Sequence, residues 1–230
     1  MFIGREKETK QLIASLSLDR NVILSGKFGI GRTSLVRHVT RIMQEKWKFL
    51  FTDFSRTPDQ VCRELESQLK KGMIYKKQAI PVRYKTIRRR IAAASKEPMR
   101  HVLVLDNIAK LTAQKLTLIS YWIAEGSFLF VAVTETFVAE SELLALRMAL
   151  LPVDRMNMKR MQMKDSMEMI RAYAEVQNLS WTDQQMKATA LITRGYPLGI
   201  VEFMSMPEAS ARSGRHDTSD AGAVNPSMDS

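Results

Sequence analysis

Short runs of consecutive apolar residues alternate with amphipathic segments along most of the chain. Four runs bounded by polar residues or glycine predict buried strands at residues 21–25, 49–54, 102–106 and 128–134. Apolar residues at helical spacing predict helices over residues 6–17, 32–44, 59–70, 83–95 and 114–124. Strands that are apolar throughout and separated by helices are typical of a parallel sheet. We therefore predict an α/β fold in which helices cover both faces of a parallel sheet.

The pattern changes after about Pro152. Strand-like runs end there, and helical patterns over residues 164–176 and 182–193 predict a small helical domain. From Pro207 the composition shifts to Ser, Ala, Gly, Asp and Pro, which is typical of a disordered tail. The predicted organisation is an α/β domain over residues 1–152, a helical domain over 153–206 and a disordered tail over 207–230.

Composition adds a few exclusions. Hydrophobic residues make up 45% of the 230 residues and charged residues 26%, which predicts a packed core. No apolar run approaches the roughly 20 residues that a membrane-spanning helix needs, and charges occupy the N-terminus where a signal peptide is apolar. One cysteine and three scattered histidines provide neither a disulfide framework nor a metal cluster. We expect a cytoplasmic protein that does not bind membranes.

The most specific motif follows the first predicted strand and precedes a predicted helix. It fits the phosphate-loop pattern G-x-x-x-x-G-K-[ST], or Walker A, at every fixed position but one. Glycines let successive backbone N–H groups point at phosphate oxygens, and the helix adds the positive end of its dipole. The alternative is a glycine turn that merely joins strand to helix. The motif consists of Gly26, Lys27, Phe28, Gly29, Ile30, Gly31, Arg32, Thr33 and Ser34.

One position of this motif departs from the pattern. Arg32 stands where the pattern requires lysine, and a planar guanidinium does not replace a compact ammonium group without consequence. Lys27 has the spacing of the extra lysine in partitioning-type ATPases, although an exposed loop lysine is the simpler interpretation. Thr33 is in place to hold Mg²⁺ through its hydroxyl. We expect nucleotide affinity, turnover or both to be reduced.

A second candidate site ends the third predicted strand. Four apolar residues precede Asp106, which is the form of a Walker B strand, whose acid binds Mg²⁺ near the phosphate loop. In hydrolysing proteins of this class a glutamate usually follows and activates water. Here the next residue is Asn107, whose amide orients water but cannot take its proton. Glu135, just past the fourth predicted strand, is another candidate carboxylate.

Together with two further motifs, these residues resemble the AAA+ superfamily, in its branch of origin-recognition-type initiators, transposition regulators and STAND ATPases. Phe2-Ile3-Gly4-Arg5-Glu6 is similar to the F-[IV]-G-R-E box that precedes the phosphate loop in this branch. Gly195-Tyr196-Pro197 is similar to the G-x-P element of the helical lid. The motifs occur in the family's order over residues 2–204, which is more specific than any one of them.

The resemblance implies roles for several residues and partners. It implies that Gly4 and Arg5 lie near the adenine and that Pro197 faces the nucleotide from the lid. Thr134 matches the sensor-1 position, a polar group aimed at the terminal phosphate. The implied cofactors are ATP or ADP with Mg²⁺, and ATP binding is expected to promote self-association. Candidates without a defining motif are Arg194 as a sensor-2-like residue, and Arg147 and Arg155 as the arginine finger.

The positive charge is concentrated in one segment. The chain has 35 Lys and Arg against 24 Asp and Glu, and residues 70–100 hold eleven of the basic residues against Glu97 alone. Such a density of cations attracts phosphates largely regardless of base sequence, and the resemblance places this segment towards the channel of ring-forming relatives. Nucleic acid, with DNA favoured, is the predicted partner; the alternatives are an acidic protein and a solvated helix face. The candidate contacts are Lys76, Lys77, Arg83, Lys85, Arg88, Arg89 and Arg90.

Two functional hypotheses follow. The first is an ATP-dependent, DNA-binding assembly switch of the transposition- or replication-regulator type, in which Asp106, Asn107 and Thr134 form the catalytic set and hydrolysis is slow or impaired. The second is a STAND-like interaction module without useful turnover, whose basic face docks an acidic protein. Arg32 and Asn107 both argue against a fast ATPase motor.

Overall fold

The computed structural model describes residues 2–69, 84–94, 99–126 and 128–206. Helices and strands alternate from the N-terminus to Asn157, and helices follow. In chain order the elements are α1 (Glu6–Ser17), β1 (Asn21–Ser25), α2 (Arg32–Met43), β2 (Trp47–Asp53), α3 (Pro58–Leu69), α4 (Tyr84–Ala94), β3 (Arg100–Ile108), α5 (Ala113–Ala124), β4 (Phe128–Thr134), α6 (Glu140–Ala149), β5 (Val153–Asn157), α7 (Met163–Val176), α8 (Asp183–Thr193) and α9 (Pro197–Ser205).

The five strands form one sheet in the order β2-β3-β4-β1-β5, and each neighbouring pair is parallel. Because all strands run the same way, their carboxyl ends lie at one edge of the sheet. The register aligns Ser25 with Thr134 and Asp53 with Asp106 at this edge. Helices lie on both faces, which confirms the predicted α/β fold.

The core lies where the central strands meet the helices. Every residue of β4 is buried, as are residues 101–105 of β3, which explains why both strands are apolar without alternation. Phe54, Trp122 and Phe130 are the largest fully buried side chains of the main hydrophobic cluster, in which α3, α4 and α5 also take part. Burial of such side chains is the dominant favourable contribution to folding.

The structure differs from the sequence prediction beyond residue 134. The sequence pattern predicts neither α6 nor α9, and its predicted strands end before Pro152. Instead β5 follows immediately and pairs with β1 from Asn21–Val153 to Ser25–Asn157. The chain divides into two compact units at residues 159 and 160, rather than after Pro152. β5 occupies the edge of the sheet and is only partly buried, so its sequence lacks the apolar run of a central strand.

The second unit contains α7, α8 and α9, which pack around their own small core of Ile170, Ala174, Met186, Ala190, Ile200 and Met204. The N-terminus of α8 is fixed by a capping box between Thr182 and Gln185. Gly195 has a positive φ of 68°, and a Cβ there would lie 2.2 Å from the carbonyl oxygen of Met161. The turn between α8 and α9 therefore requires glycine.

The described residues lack two features, a membrane-spanning helix and a metal-binding cluster. None of the described helices is long and apolar enough to cross a membrane. The described residues also contain no group of three or more His, Cys, Asp or Glu side chains that could hold a metal ion.

Candidate functional site

The glycine-rich loop joins the carboxyl end of β1 to the N-terminus of α2. Gly29 and Gly31 have positive φ values of 76° and 94°, a conformation that favours glycine. Gly26 is constrained by space, because a Cβ there would lie 2.9 Å from Cγ2 of Ile30. Within the described part of the chain no side chain caps α2, which leaves the N–H groups of its first turn for an anion.

Arg5 braces this loop from the N-terminal segment. Its side chain is buried, and Nη2 donates a hydrogen bond of 3.3 Å to the carbonyl oxygen of Ile30. Nη1 forms an ion pair of 2.9 Å with Glu8 on the following helix turn. Gly4, with φ of 55°, precedes this contact. The sequence box thus has a structural role in holding the loop, and its expected position near an adenine remains a prediction.

Thr33 and Asp106 are brought together as the sequence predicts. Thr33 lies in the first turn of α2, and Asp106 lies near the carboxyl end of β3. The Thr33 hydroxyl is 3.0 Å from each carboxylate oxygen of Asp106. A hydroxyl and a carboxylate are oxygen ligands of the kind that Mg²⁺ prefers. Their chemistry therefore fits a magnesium ion held between α2 and β3.

Arg32 points to the end of β4 and is already engaged there. Its Nη1 donates a short hydrogen bond to the carbonyl oxygen of Thr134, and its Nη2 lies 2.5 Å from Oε1 of Glu135. The Arg32 and Glu135 side chains are only 7% and 13% exposed. The cation at the lysine position of the phosphate loop is therefore neutralised inside the fold. The sequence identifies Arg32 and Glu135 as separate candidates, but no pattern in it indicates that they form an ion pair.

The hydroxyl of Thr134 is a buried polar group. The structure gives Oγ1 no hydrogen-bond partner among the described residues, although the Thr134 carbonyl accepts from Arg32. A buried hydroxyl without a partner is costly and needs an explanation. Thr134 aligns with Ser25, the last residue of β1 before the glycine loop. Its predicted role as a sensor of the terminal phosphate stays a prediction.

Asn107 contacts an acid on the neighbouring strand. Asn107 has a left-handed backbone with φ of 57°, and its Nδ2 donates to Oδ1 of Asp53 over 3.4 Å. Burial alone would raise the pKa of Asp53, but hydrogen bonds from Ser55 and Asn107, together with Arg56, lower it below its ordinary value. Sequence reasoning missed Asp53. The sequence does carry a signal for Asp53. This acid ends the apolar run of β2, in the same way that Asp106 follows the apolar run of β3.

A buried lysine supports the same edge of the sheet and was also missed. Lys115 on α5 donates from Nζ to the carbonyl oxygens of Phe54, Ser55 and Lys110 at 2.6, 3.3 and 3.3 Å. Burial lowers the pKa of Lys115, and the nearby carboxylates of Asp53 and Glu142 partly oppose this shift. The contacts tie the turn that follows β2 to the start of α5.

Several cations of the basic segment, residues 70–100, already have partners within the fold. Arg90 forms an ion pair of 3.3 Å with Glu66 on α3, and Arg100 pairs with Asp19. The guanidinium of Arg88 lies 3.7 Å from the ring centroid of Tyr121. Glu97 is the only acid within residues 70–100 of the sequence, but acids distant in sequence also pair with these cations in the fold. Lys85 and Arg89 are exposed on α4, whereas Lys76, Lys77 and Arg83 lie outside the described residues.

The remaining candidates lie in both units. Pro197 is the first residue of α9 in the second unit, and Arg194 adopts a left-handed conformation with φ of 50° at the end of α8. In the first unit, Arg147 and Arg155 line one groove of about 250 Å³ with Glu140, Ser141, Leu143 and Leu144. The shared groove does not distinguish the two arginine-finger candidates.

Comparison with known proteins yields structural neighbours only. No protein-family model matches the sequence, and no curated protein does. The Walker-type ATPase PABY2304 of Pyrococcus abyssi is 15% identical with a TM-score of 0.66, over 93% of this chain and 70% of that one. Cdc6p from Pyrobaculum aerophilum is 14% identical with a TM-score of 0.65, over 92% of this chain and 63% of that one. The Orc1 protein of Aeropyrum pernix was solved in complex with DNA. It is 14% identical with a TM-score of 0.56, over 93% of this chain and 65% of that one.

These similarities establish the fold. The chain shares the fold of these neighbours, a parallel sheet with helices on both faces, which agrees with the fold that the sequence resemblance implied. The chain spans about two thirds of the length of these neighbours.

Proposed function

We propose that this chain binds a nucleoside triphosphate with Mg²⁺ at residues 26–34, and acts as a nucleotide-dependent assembly switch on DNA in the cytoplasm. The observation that carries the proposal is the contact of Thr33 with Asp106 beside the glycine loop. A turn that merely joined β1 to α2 would not need a hydroxyl and an acid from separate elements at 3.0 Å. The fold that the chain shares with a Walker-type ATPase supports the same assignment.

The proposed site divides the work among a few groups. The N–H groups of the loop and of the first turn of α2 bind the phosphate oxygens. Thr33 and Asp106 hold Mg²⁺, which supplies charge neutralisation to the phosphates when it is bound. The buried hydroxyl of Thr134 senses the terminal phosphate, which gives this unpartnered group a ligand. Gly4 and Arg5 border the adenine.

Hydrolysis at this site is proposed to be slow. It would proceed by attack of water on the terminal phosphate, which requires a group that orients the water or accepts its proton. Asn107 supplies only an amide, and that amide is held by Asp53. Glu135, the other candidate carboxylate, is occupied by Arg32. Both observations support a switch that hydrolyses nucleotide more slowly than a motor does, and that retains the nucleotide or exchanges it instead.

DNA binding is assigned to the basic segment of residues 70–100. Lys85 and Arg89 are exposed on α4, and cations on one surface attract phosphates largely independently of base sequence. The Orc1 neighbour was solved in complex with DNA. We propose that nucleotide promotes self-association, that Arg147 or Arg155 reaches the site of an adjoining copy, and that the assembly holds DNA through this segment.

The pairing of Arg32 with Glu135 also favours the second candidate function. A phosphate-loop cation that is neutralised internally fits a protein that binds nucleotide for stability and does not turn it over. In that case the basic segment would dock an acidic protein, as in a STAND-like interaction module. DNA binding and nucleotide turnover, measured separately, distinguish the two functions.

The nucleotide assignment is tested with the double variant Thr33→Ala, Asp106→Ala. We expect the affinity of the full chain for Mg·ATP, measured by titration calorimetry, to fall about tenfold or more, because both magnesium ligands are lost. Thr33→Ser is the matched control, since it keeps the hydroxyl and should bind nearly as the wild type does. Equal affinity of the double variant and the wild type would show that the site assignment is wrong.

The DNA assignment is tested with Lys85→Glu, Arg89→Glu, which spares the packed Arg88 and the paired Arg90. We expect weaker DNA binding and a shallower dependence of log K on log salt than for the wild type. Lys7→Glu, Lys10→Glu on exposed positions of α1 makes the same change in net charge. An equal loss of DNA affinity in both variants would show that net charge, and not the cations of α4, determines DNA binding.

A further inference from the structure

Arg32 of the phosphate loop forms an ion pair with Glu135, and the proposed function does not say how this pair affects the choice between nucleotides. In a phosphate loop, the residue before the Ser or Thr reaches the β- and γ-phosphates. Here that residue is Arg32, and two of its nitrogens are already used, one by the carbonyl of Thr134 and one by the carboxylate of Glu135. An incoming terminal phosphate would therefore meet a cation that has a counter-ion.

We propose that Glu135 is a specificity-determining residue that competes with the terminal phosphate for Arg32, so that the site binds a nucleoside diphosphate more tightly than a triphosphate. The inference rests on the proposed function, because it assumes a nucleotide at residues 26–34. It goes further in naming the form of nucleotide that the chain prefers at rest and the residue that sets the preference.

Glu135 is held in this position by the backbone around it. Its N–H donates to the carbonyl oxygen of Ile108 over 3.0 Å, which ties the residue after β4 to the end of β3. The preceding carbonyl, that of Thr134, accepts from Arg32. The Glu135 side chain is only 13% exposed, and Arg32 is the one close cation among the contacts that the described residues give it. The carboxylate is thus a fixed charge beside the loop.

The competition lowers the affinity for a triphosphate more than the affinity for a diphosphate, because the triphosphate adds a terminal phosphate to the β-phosphate that both nucleotides bring towards Arg32. A diphosphate is served by the N–H groups of the loop and of α2, and by Mg²⁺ between Thr33 and Asp106, none of which involves Glu135. A terminal phosphate brings further negative charge to Arg32, where it must share the guanidinium with the carboxylate or displace it. Like charges in a partly buried site repel strongly, and a buried ion pair is costly to separate.

The experiment compares the affinities of Mg·ATP and Mg·ADP for the full chain, by titration calorimetry, in the wild type and in Glu135→Gln. Glutamine keeps the shape and still accepts a hydrogen bond from Arg32, so it removes the charge alone. The ratio of the ATP to the ADP dissociation constant should exceed one in the wild type. In Glu135→Gln it should fall about 10-fold to 100-fold, a range typical of coupling between sites. Glu135→Ala, which removes the carboxylate altogether, should lower it as well.

Glu175→Gln is the matched control, because it removes the same charge from an exposed position on α7 in the second unit and should leave the ratio unchanged. An unchanged ratio in both Glu135 variants, with ADP still bound, would overturn this inference and leave the proposed function standing. A wild type that prefers ATP would overturn it in the same way. If neither the wild type nor the variants bind either nucleotide, the proposed function itself fails.

Discussion

Replacing Arg32 by methionine tests whether the Arg32–Glu135 pair is part of the folded structure. Methionine fills a similar length of apolar side chain but cannot donate, so Glu135 and the Thr134 carbonyl both lose their contact with Arg32. Hydrogen bonds that involve a charged group contribute about 1.5–3 kcal/mol each, and loss of one partner of a buried pair costs about 3–5 kcal/mol. Because Glu135 is still 13% exposed, water partly rehydrates it. We therefore expect a loss of about 3 kcal/mol.

The assay is urea denaturation of the full chain followed by tryptophan fluorescence. Trp47 and Trp122 lie in the sheet unit and Trp181 in the helical unit, so a Trp181→Phe background restricts the signal to the first unit. The double variant Arg32→Met, Glu135→Gln should recover much of the loss, because no isolated charge remains. A loss below about 1 kcal/mol for Arg32→Met would refute the reasoning, and so would strict additivity in the double variant.

Three further predictions concern the turn in the helical unit, the buried lysine and hydrolysis. Gly195→Ala should destabilise the helical unit by about 2–4 kcal/mol in thermal unfolding, because its Cβ would lie 2.2 Å from the Met161 carbonyl oxygen. Gly126→Ala is the control, since Gly126 has a similar φ of 66° but open space around it, and it should cost about 1 kcal/mol. Lys115→Met should cost about 2–3 kcal/mol in urea denaturation, since three carbonyls lose their donor. Because the folded pKa of Lys115 lies below its unfolded value near 10.5, the wild type should gain stability over this variant as the pH rises through the folded pKa towards 10.5; a constant difference would contradict this. Asn107→Glu should raise steady-state ATP hydrolysis about tenfold or more by supplying a proton acceptor, and no gain would show that other parts of the site also lack function.

The central strands were predictable because burial on both faces leaves an unbroken apolar run. Residues 128–134 are an example, since the predicted strand and β4 coincide. β5 was missed for the opposite reason. It lies at the edge of the sheet, where only Met156 is buried, and its remaining residues carry no distinctive pattern. Strand prediction from apolar runs therefore works for the middle of this sheet and fails at its edge.

The candidate site was predictable where a motif fixes the residue type, and not where two residues meet only in the fold. The patterns around Thr33 and Asp106 each predicted a magnesium ligand, and the structure places them in contact. The pairing of Arg32 with Glu135 joins residues 103 positions apart, and that of Arg90 with Glu66 joins residues 24 apart. No local pattern encodes such pairs, because they depend on which strands and helices become neighbours.

The central claim is that main-chain N–H groups of residues 26–34 bind the phosphates of a nucleotide. The most direct test is a set of ¹H–¹⁵N correlation spectra of the full chain during titration with Mg·ADP. We predict that the largest saturable shifts arise from the amides of residues 27–34, followed by those next to Asp106. Saturable shifts confined to other parts of the chain, or unchanged spectra at millimolar nucleotide, would contradict the claim.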